Sequence, residues 1–456
     1  MGRNARHAVV IGASIGGLCA ARVLSDFFDR VSVYERDDLP AQPAHRVAVP
    51  QGRHLHLLMA RGAHELGGLF PGLLDEMVAA GVPILENRPD CIHFGAAGHV
   101  LGTGHRLRDE FTAYIPSRPH LEWQLRRRVW ATENVDVVHA AVSAPVYNGD
   151  RVTGVQLDTG EEIAADLVVD TTGRGTRLPV WLQQWGFDRP PEASVEVGIS
   201  YATHRLRIPE GLLTEKVVVA GAFRGQPRGL GMLCYEDGTW TLTTFGVAKV
   251  EPPHDFAGMC DLADDVVPRH IADAIRQGEP IGDVAFHKYP TSRWRRYHRL
   301  TRFPAGILPF GDAVASFNPT FGQGMSMTSL HAGHLRRALA SPNTDLESQF
   351  NSAVAKSTFP VWTMNAIGDL VLHGATGPTP WWYPPVGRLF DQFLGAAETD
   401  PVLAEWFLRR FSLLDSLYMV PSARLVGRTI RHNLRLFIAD KRARSATPDR
   451  DRVRGR

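Results

Sequence analysis

Cysteine is scarce in this chain: Cys19, Cys91, Cys234 and Cys260 are the only four among 456 residues. They show neither a CxxC pair nor metal-ligand spacing. That excludes a disulfide framework and a zinc motif, and reads as small buried hydrophobes in a reducing cytoplasm. No apolar run reaches the roughly 18 to 20 residues of a transmembrane helix. A strong charge of either sign is also missing. Lys and Arg number 50 against 48 Asp and Glu, a net of +2, which excludes a dedicated nucleic-acid binder. Only five of those basic residues are Lys, and residues 441–456 hold seven basic and two acidic side chains. That last stretch is expected to be a disordered basic tail. Hydrophobic residues at 44% and charged residues at 21% give an ordinary globular mix, with length for roughly two to three domains.

Arg3 and Arg6 before an apolar stretch ending in Leu18-Cys19-Ala20 imitate a secretion signal, but the pattern has a better explanation. Ala8–Ile11 is a short apolar run suited to a parallel strand buried on both faces. Gly12-Ala13-Ser14-Ile15-Gly16-Gly17 follows at once, then a small-residue helix over Leu18–Leu24, then a β-type run Val31–Tyr34 ending in Glu35. Glu35 lies 23 residues after Gly12, close to the roughly 20-residue offset of the dinucleotide fingerprint. Gly12 permits the tight turn, Gly17 lets helix and strand approach, and the helix start with Gly16 presents free N–H groups to a pyrophosphate. Glu35 accepts from a ribose 2′-OH and repels a 2′-phosphate, which favours FAD or NAD over NADP. Ser14 replaces the middle glycine and narrows the phosphate approach.

Some three hundred residues later a second apolar strand, Ile307–Phe310, runs into Gly311-Asp312-Ala313. After it come Phe317-Asn318-Pro319-Thr320-Phe321-Gly322-Gln323-Gly324-Met325 and a helix over Met325–Leu339. This stretch resembles the C-terminal flavin motif of the FAD-dependent monooxygenases of the single-component aromatic hydroxylase superfamily. The resemblance implies that Asp312 binds a ribityl hydroxyl and that Pro319 lines the flavin. It also implies that the backbone from Gly322 through Gly324 to Met325 approaches the pyrimidine end. Chemically the pattern agrees: an Asp just after a strand suits polyol hydroxyls, and a glycine-opened helix presents bare donors. Val314 stands where the family often carries His. Arg118, after Ile115-Pro116-Ser117 and at the start of a helix over Leu121–Trp130, matches a flavin-nucleotide contact. In Asp166–Arg177 the family's Asp-Gly has become Thr172-Gly173, so FAD is better supported than direct nicotinamide use. Pro50-Gln51-Gly52-Arg53-His54-Leu55-His56 resembles a subgroup with epoxidases of polyketide and terpenoid pathways. Arg53, and Arg36 beside Glu35, are taken as cofactor contacts. His54 and His56 have no third ligand nearby, so no metal is expected.

The implied fold is α/β: a Rossmann-like FAD-binding domain (1–185 and 286–340), an antiparallel β-sheet substrate domain (186–285) and a C-terminal helical region (341–440). Val195–Tyr201 and Thr239–Thr243 alternate with period two, Lys216–Ala222 and Leu230–Cys234 are further strand candidates, and Glu236-Asp237-Gly238 signals a hairpin. The aromatics Trp362, Trp381, Trp382, Tyr383, Trp406 and Phe407 read as core. Arg424, Arg428, Arg431 and Arg435 at helical spacing read as a solvated face, with a membrane surface as the alternative. The implied activity is oxygen insertion from O2, by epoxidation or hydroxylation, into a hydrophobic, electron-rich small molecule of secondary metabolism. NADPH or NADH would supply electrons, directly or through a separate flavin reductase. No catalytic side chain is assigned, because the cofactor carries the hard step. The Trp-x-Trp-x-Ile-Pro signature of flavin halogenases is absent. A reductase or redox-neutral cyclase of the geranylgeranyl-reductase or lycopene-cyclase type is the rival, separated by oxygen dependence.

Overall fold

The computed structural model describes residues 6–47, 49–86, 91–104, 111–341, 345–372 and 374–446. The apolar run near the N-terminus is the strand His7–Ile11, central in a five-stranded parallel sheet. Its neighbours are Leu167–Asp170 and Arg30–Glu35, with Ile307–Pro309 and Val135–His139 at the edges. Both faces are covered, so Ala8, Val9, Val10, Val168, Val169, Ile307 and Leu308 are all fully buried. The helix Ile15–Leu24 begins one residue after Ser14, three residues earlier than the apolar periodicity suggests. Gly16 and Gly17 are therefore helical rather than part of the turn. The helix Arg118–Trp130 likewise starts earlier than expected. Ser117 caps it by accepting from the His120 N–H, and Pro119 sits where a missing N–H costs nothing.

A second sheet has eight strands. In spatial order they are Ala315–Ser316, Glu279–Arg295, Glu192–Arg207, Trp240–Gly246, Arg228–Cys234, Val217–Ala220, Ile92–Ala96 and His99–Val100. It is wider than the 186–285 span expected from the sequence, because residues 92–100, 286–295 and 315–316 join it. Its pairing is antiparallel except where Val217–Ala220 runs parallel to Ile92–Ala96. Short strands such as Ile92–Ala96 and Ala315–Ser316 carry too little periodicity to be read locally. The hairpin at Glu236-Asp237-Gly238 is present, with Gly238 at φ +71° and the Asp237 carboxylate accepting from the Thr239 N–H.

One face of this sheet, with Ala202, Leu206, Met232 and Leu242, packs on the helices Phe256–Val266 and Arg269–Arg276. Those two helices lie inside the segment read from sequence as sheet alone. The opposite face, with Ile199, Tyr201, Phe245 and Tyr289, joins the core of the parallel-sheet layer. Beyond residue 345 the chain is helical over Leu346–Ile367, Tyr383–Ala397, Pro401–Phe411 and Ala423–Ala446. Trp362, Tyr383 and Phe407 are core, whereas Trp381 is 86% exposed. The last helix continues through residues 441–446, where a disordered tail was expected. The Lys-Arg-Ala-Arg run there has good helix propensity and extends a helix already nucleated. Residues 447–456 lie outside the described residues.

Candidate cofactor-binding site

The first glycine turn is built by close approach. Gly12 adopts φ +104°, and a Cβ on Gly17 would lie 1.8 Å from the Gly12 carbonyl oxygen. A Cβ on Gly16 would meet nothing nearer than 3.7 Å, from Phe310 and Thr328, so that position is one of ordinary packing. Thr171 buttresses the turn by donating to the carbonyls of Ile11 and Gly12 at 2.7 and 3.1 Å. Ser14 makes no cap bond, so the first N–H groups of the helix lack a side-chain partner. Its hydroxyl instead accepts from Arg118 Nη2 at 2.8 Å and donates to Glu122 Oε2 at 3.3 Å. The serine that replaces the middle glycine thus recruits the arginine on the neighbouring helix.

Glu35 is buried at the end of its strand. It accepts from the Ala13 and Asp37 N–H groups at 2.8 and 3.0 Å and pairs with Arg46 Nη2 at 2.6 Å. Burial pushes its pKa up, but the two backbone donors and Arg46 outweigh that and hold it below the usual carboxylate range. Arg46 also pairs with Glu122 Oε1 at 2.7 Å, so one buried guanidinium joins two buried carboxylates. Burial works against its charge, and Glu122 and Glu35 more than restore it. Nε of Arg46 and Nε of Arg118 are buried without a hydrogen-bond partner among the described residues.

In the second half, Gly311 at φ +61° turns the chain after the strand, and its N–H donates to His331 Nδ1 at 3.2 Å. Burial holds His331 neutral, with its pKa down at about 3. The next residue, Asp312, lies deep in the fold, yet its side chain is exposed and makes no hydrogen bond with the described residues. Burial pushes its carboxyl above the usual range, while Arg118, Arg174 and Arg295 pull the other way. Pro319 is exposed, Gly322 takes φ +67°, and Gly324 opens the helix Gly324–Ala340 with nothing within 4 Å of its Cβ position. Met325, its second residue, is half-buried.

Gln323 is turned away from that helix start. Its amide donates to the Phe411 carbonyl at 2.9 Å and its oxygen accepts from Asn365 at 2.9 Å, tying the turn to the C-terminal helices. Asn318 donates to Asp369 at 2.6 Å and caps Thr320. The two halves meet where the Gly16 position packs on Phe310 and Thr328, and where Arg118 shifts Asp312.

Of the residues expected from sequence, the structure brings together Gly12, Ser14, Gly16, Gly17, Glu35, Arg118 and Asp312, with the 319–325 turn closing the second half. Arg36 is exposed, and only its carbonyl is engaged among the described residues, by His139. Arg53 is exposed at the end of the short turn Pro50–Arg53; the adjoining Gly52 packs beside Arg118. His54 and His56 are in irregular backbone, not a strand. His54 Nδ1 bonds Thr203 Oγ1 at 2.7 Å and His56 Nδ1 bonds the His54 carbonyl at 2.9 Å. No metal-holding group of three or more ligands occurs among the described residues. Asp170, beside the Thr172-Gly173 departure, is fully buried and accepts from Thr172 and Thr176. Arg46, Glu122, Thr171 and Gln323 were not read from sequence. Only Glu122 had a signal, its i+4 spacing from Arg118 on one helix.

The donor set fits a flavin dinucleotide: uncapped N–H groups at two helix starts, two arginines with orphaned Nε atoms beside the first, Glu35 as a ribose acceptor and the unpartnered Asp312 carboxylate. A family model described as the Mycobacterium Rv3254 C-terminal domain matches residues 377–443. Protein Rv3254 of Mycobacterium tuberculosis (strain ATCC 25618 / H37Rv) is 65% identical over 460 residues, covering 97% of each chain. A kynurenine 3-monooxygenase of Salinispora arenicola (strain CNS-205) is 27% identical over 360 residues, covering 72% of this chain and 70% of its own. Among solved structures, the flavin-dependent brominase Bmp2 superposes with a TM-score of 0.64 at 13% identity, covering 96% of this chain and 100% of its own. That likeness is one of fold.

Proposed function

The chain belongs to the Protein Rv3254 family, within the FAD-dependent aromatic hydroxylase superfamily, and from that premise we propose that it is an FAD-dependent monooxygenase. It would insert one atom of O2 into a hydrophobic, electron-rich small molecule, by epoxidation or hydroxylation. The second oxygen atom leaves as water, with NADPH or NADH supplying two electrons directly or through a separate reductase. The observation that carries the reading is Asp312: a carboxylate just after the strand Ile307–Pro309, with no side-chain hydrogen bond among the described residues, that feels Arg118 from the first half of the site.

Bound FAD supplies the redox chemistry and the oxygen transfer. The residues of the chain do the rest. The N–H groups at Ile15–Gly17 would hold the pyrophosphate and Glu35 the adenosine ribose, with Arg118 bonded to Ser14 and acting on Asp312. Asp312 would accept from the ribityl chain, and the backbone at Gly322–Met325 would donate to the pyrimidine end. The face of the second sheet with Tyr201, Phe245 and His287, against which His54 packs from the turn before it, would form a wall that keeps water out. Burial pushes His54 down to about 4 and lowers His287, so both are uncharged at neutral pH. An uncharged aromatic wall suits a neutral lipophilic substrate.

Anaerobic mixing of the purified yellow protein with NADPH or NADH, then with oxygenated buffer, tests this. Flavin bleaching followed by an oxygen-dependent absorbance transient supports the monooxygenase. If neither nucleotide bleaches the flavin, reduced flavin is supplied from a separate reductase. No oxygen-dependent transient under either regime overturns the reading in favour of a reductase or redox-neutral cyclase.

A further inference from the structure

The arginines 424, 428, 431 and 435 do not stand on an ordinary solvated face. Beside them the helix Ala423–Ala446 leaves Val426, Ile430, Leu434 and Phe437 exposed by 42, 60, 59 and 67%. These positions follow i, i+4, i+8 and i+11, so they form one stripe about 16 Å long. The helix is anchored elsewhere on its circumference: Thr429 is buried, His432 bonds Thr399 at 2.9 Å, Asn433 bonds Gln392 at 3.1 Å and Arg428 pairs with Asp400. Leu389, one turn before Gln392, is 71% exposed and widens the patch. Arg424, Arg431 and Arg435 are exposed and pair with no described residue; Arg431 borders the stripe and the other two continue round the same side of the helix. No Asp or Glu occurs from 416 to 439. The surface falls inside the 377–443 segment that defines the family's C-terminal domain.

We propose that this surface docks the protein on an anionic lipid bilayer, with the apolar stripe entering the headgroup boundary and the flanking arginines meeting phosphates. Charge complementarity selects that occupant. The exposed arginines outnumber the acids of this helix, which has none from 423 to 439, and an anionic bilayer satisfies both the apolar stripe and that excess of positive charge. No helix among the described residues is long and apolar enough to cross a membrane, so the contact is peripheral.

The test is flotation of the full chain with phosphatidylcholine vesicles with and without phosphatidylglycerol, at low and high salt. The expected result is binding to the phosphatidylglycerol vesicles, weakened by salt. Ile430→Glu with Phe437→Glu should reduce partitioning on the order of a hundredfold. Arg431→Ala with Arg435→Ala should reduce it about thirtyfold and flatten the salt dependence. All four side chains are exposed, so flavin content and melting temperature should stay at wild-type values and exclude misfolding as the cause. No partitioning into phosphatidylglycerol vesicles overturns the proposal, as does partitioning of both double variants at the wild-type level. A solution dimer that Ile430→Glu dissociates, without vesicle binding, would assign the surface to a second copy instead.

Discussion

Two adjacent glycines in one helix should respond in opposite ways to the same methyl group. At Gly17 the new Cβ would lie 1.8 Å from the Gly12 oxygen and 2.9 Å from both the Gly12 carbonyl carbon and Thr171 Oγ1. Real contacts of that kind lie beyond about 3.4 Å, so helix and turn must separate by roughly 1.5 Å, through backbone that cannot swing away. Overpacking costs about 1–3 kcal/mol where side chains can yield. Here none can, and we expect Gly17→Ala to lose at least about 3 kcal/mol together with most of the bound flavin. At Gly16 the new Cβ meets Phe310 and Thr328 at 3.7 Å, an ordinary contact, and the residue is helical with normal φ. Gly16→Ala should gain about 0.5–1 kcal/mol from helix propensity and reduced freedom of the unfolded chain, and keep its flavin. Urea unfolding followed by circular dichroism, with the flavin-to-protein absorbance ratio, reads both quantities. Wild-type stability and full flavin content in Gly17→Ala would refute the close-approach argument. Equal damage by both substitutions would show that the helix start tolerates no methyl group anywhere.

Arg46→Met should destabilise the protein by about 3–5 kcal/mol, because Glu35 and Glu122 would be left buried without their shared cation. Glu35 titrates below its unfolded value in the folded protein. Its contribution is therefore present above the ordinary glutamate range, near pH 4.5, and lost as pH falls through the lower folded value. Arg46→Met should shift acid unfolding to higher pH, and an unchanged acid midpoint would remove Arg46 from this role. Asp312→Asn should act in the opposite direction on stability. A carboxyl whose pKa is raised on folding destabilises the fold at neutral pH, so the apo-protein should melt no lower than wild type. Its FAD affinity should fall tenfold or more by fluorescence titration, as on the order of one charge-assisted hydrogen bond is weakened. Unaltered affinity would place the ribityl chain elsewhere.

Both glycine turns were legible because their constraint is local: a strand, a tight turn and a helix start occupy adjacent residues, and only a few residue types fit. Gly12, Gly17, Glu35 and Asp312 fall in the site for that reason. Arg46 was not legible. It lies in irregular backbone, has no spacing relation to Glu35 or Glu122, and acquires its role only when the helix Arg118–Trp130 is brought against the first turn. Arg36 rests on adjacency to Glu35 alone: it stands just past the end of the strand Arg30–Glu35 and is exposed. The width of the second sheet was hidden for another reason. A five-residue strand such as Ile92–Ala96 joins by pairing with residues more than a hundred positions later, which leaves no trace in its own pattern.

The distance in sequence between the two turns makes the site a product of global folding rather than of either segment. Gly16 reaches Phe310 and Thr328, the Phe310 N–H bonds the Asp170 carbonyl, and Thr171 holds Gly12. The strand Leu167–Asp170 is therefore the shared wall on which both halves are registered. Gln323 extends the same registration to Phe411 and Asn365, so the helix start at Gly324 is fixed by the C-terminal helices. A ligand gripped by both turns bridges all these contacts at once and binds only the assembled state. Saturating FAD should then raise the unfolding free energy of the whole chain by RT ln(1 + [FAD]/Kd), about 2.7 kcal/mol at a hundredfold excess over Kd. If the turns were independent, flavin would stabilise only the N-terminal portion, and calorimetry would split into two transitions with one unmoved by FAD. A single transition that shifts as a unit is the outcome this geometry requires.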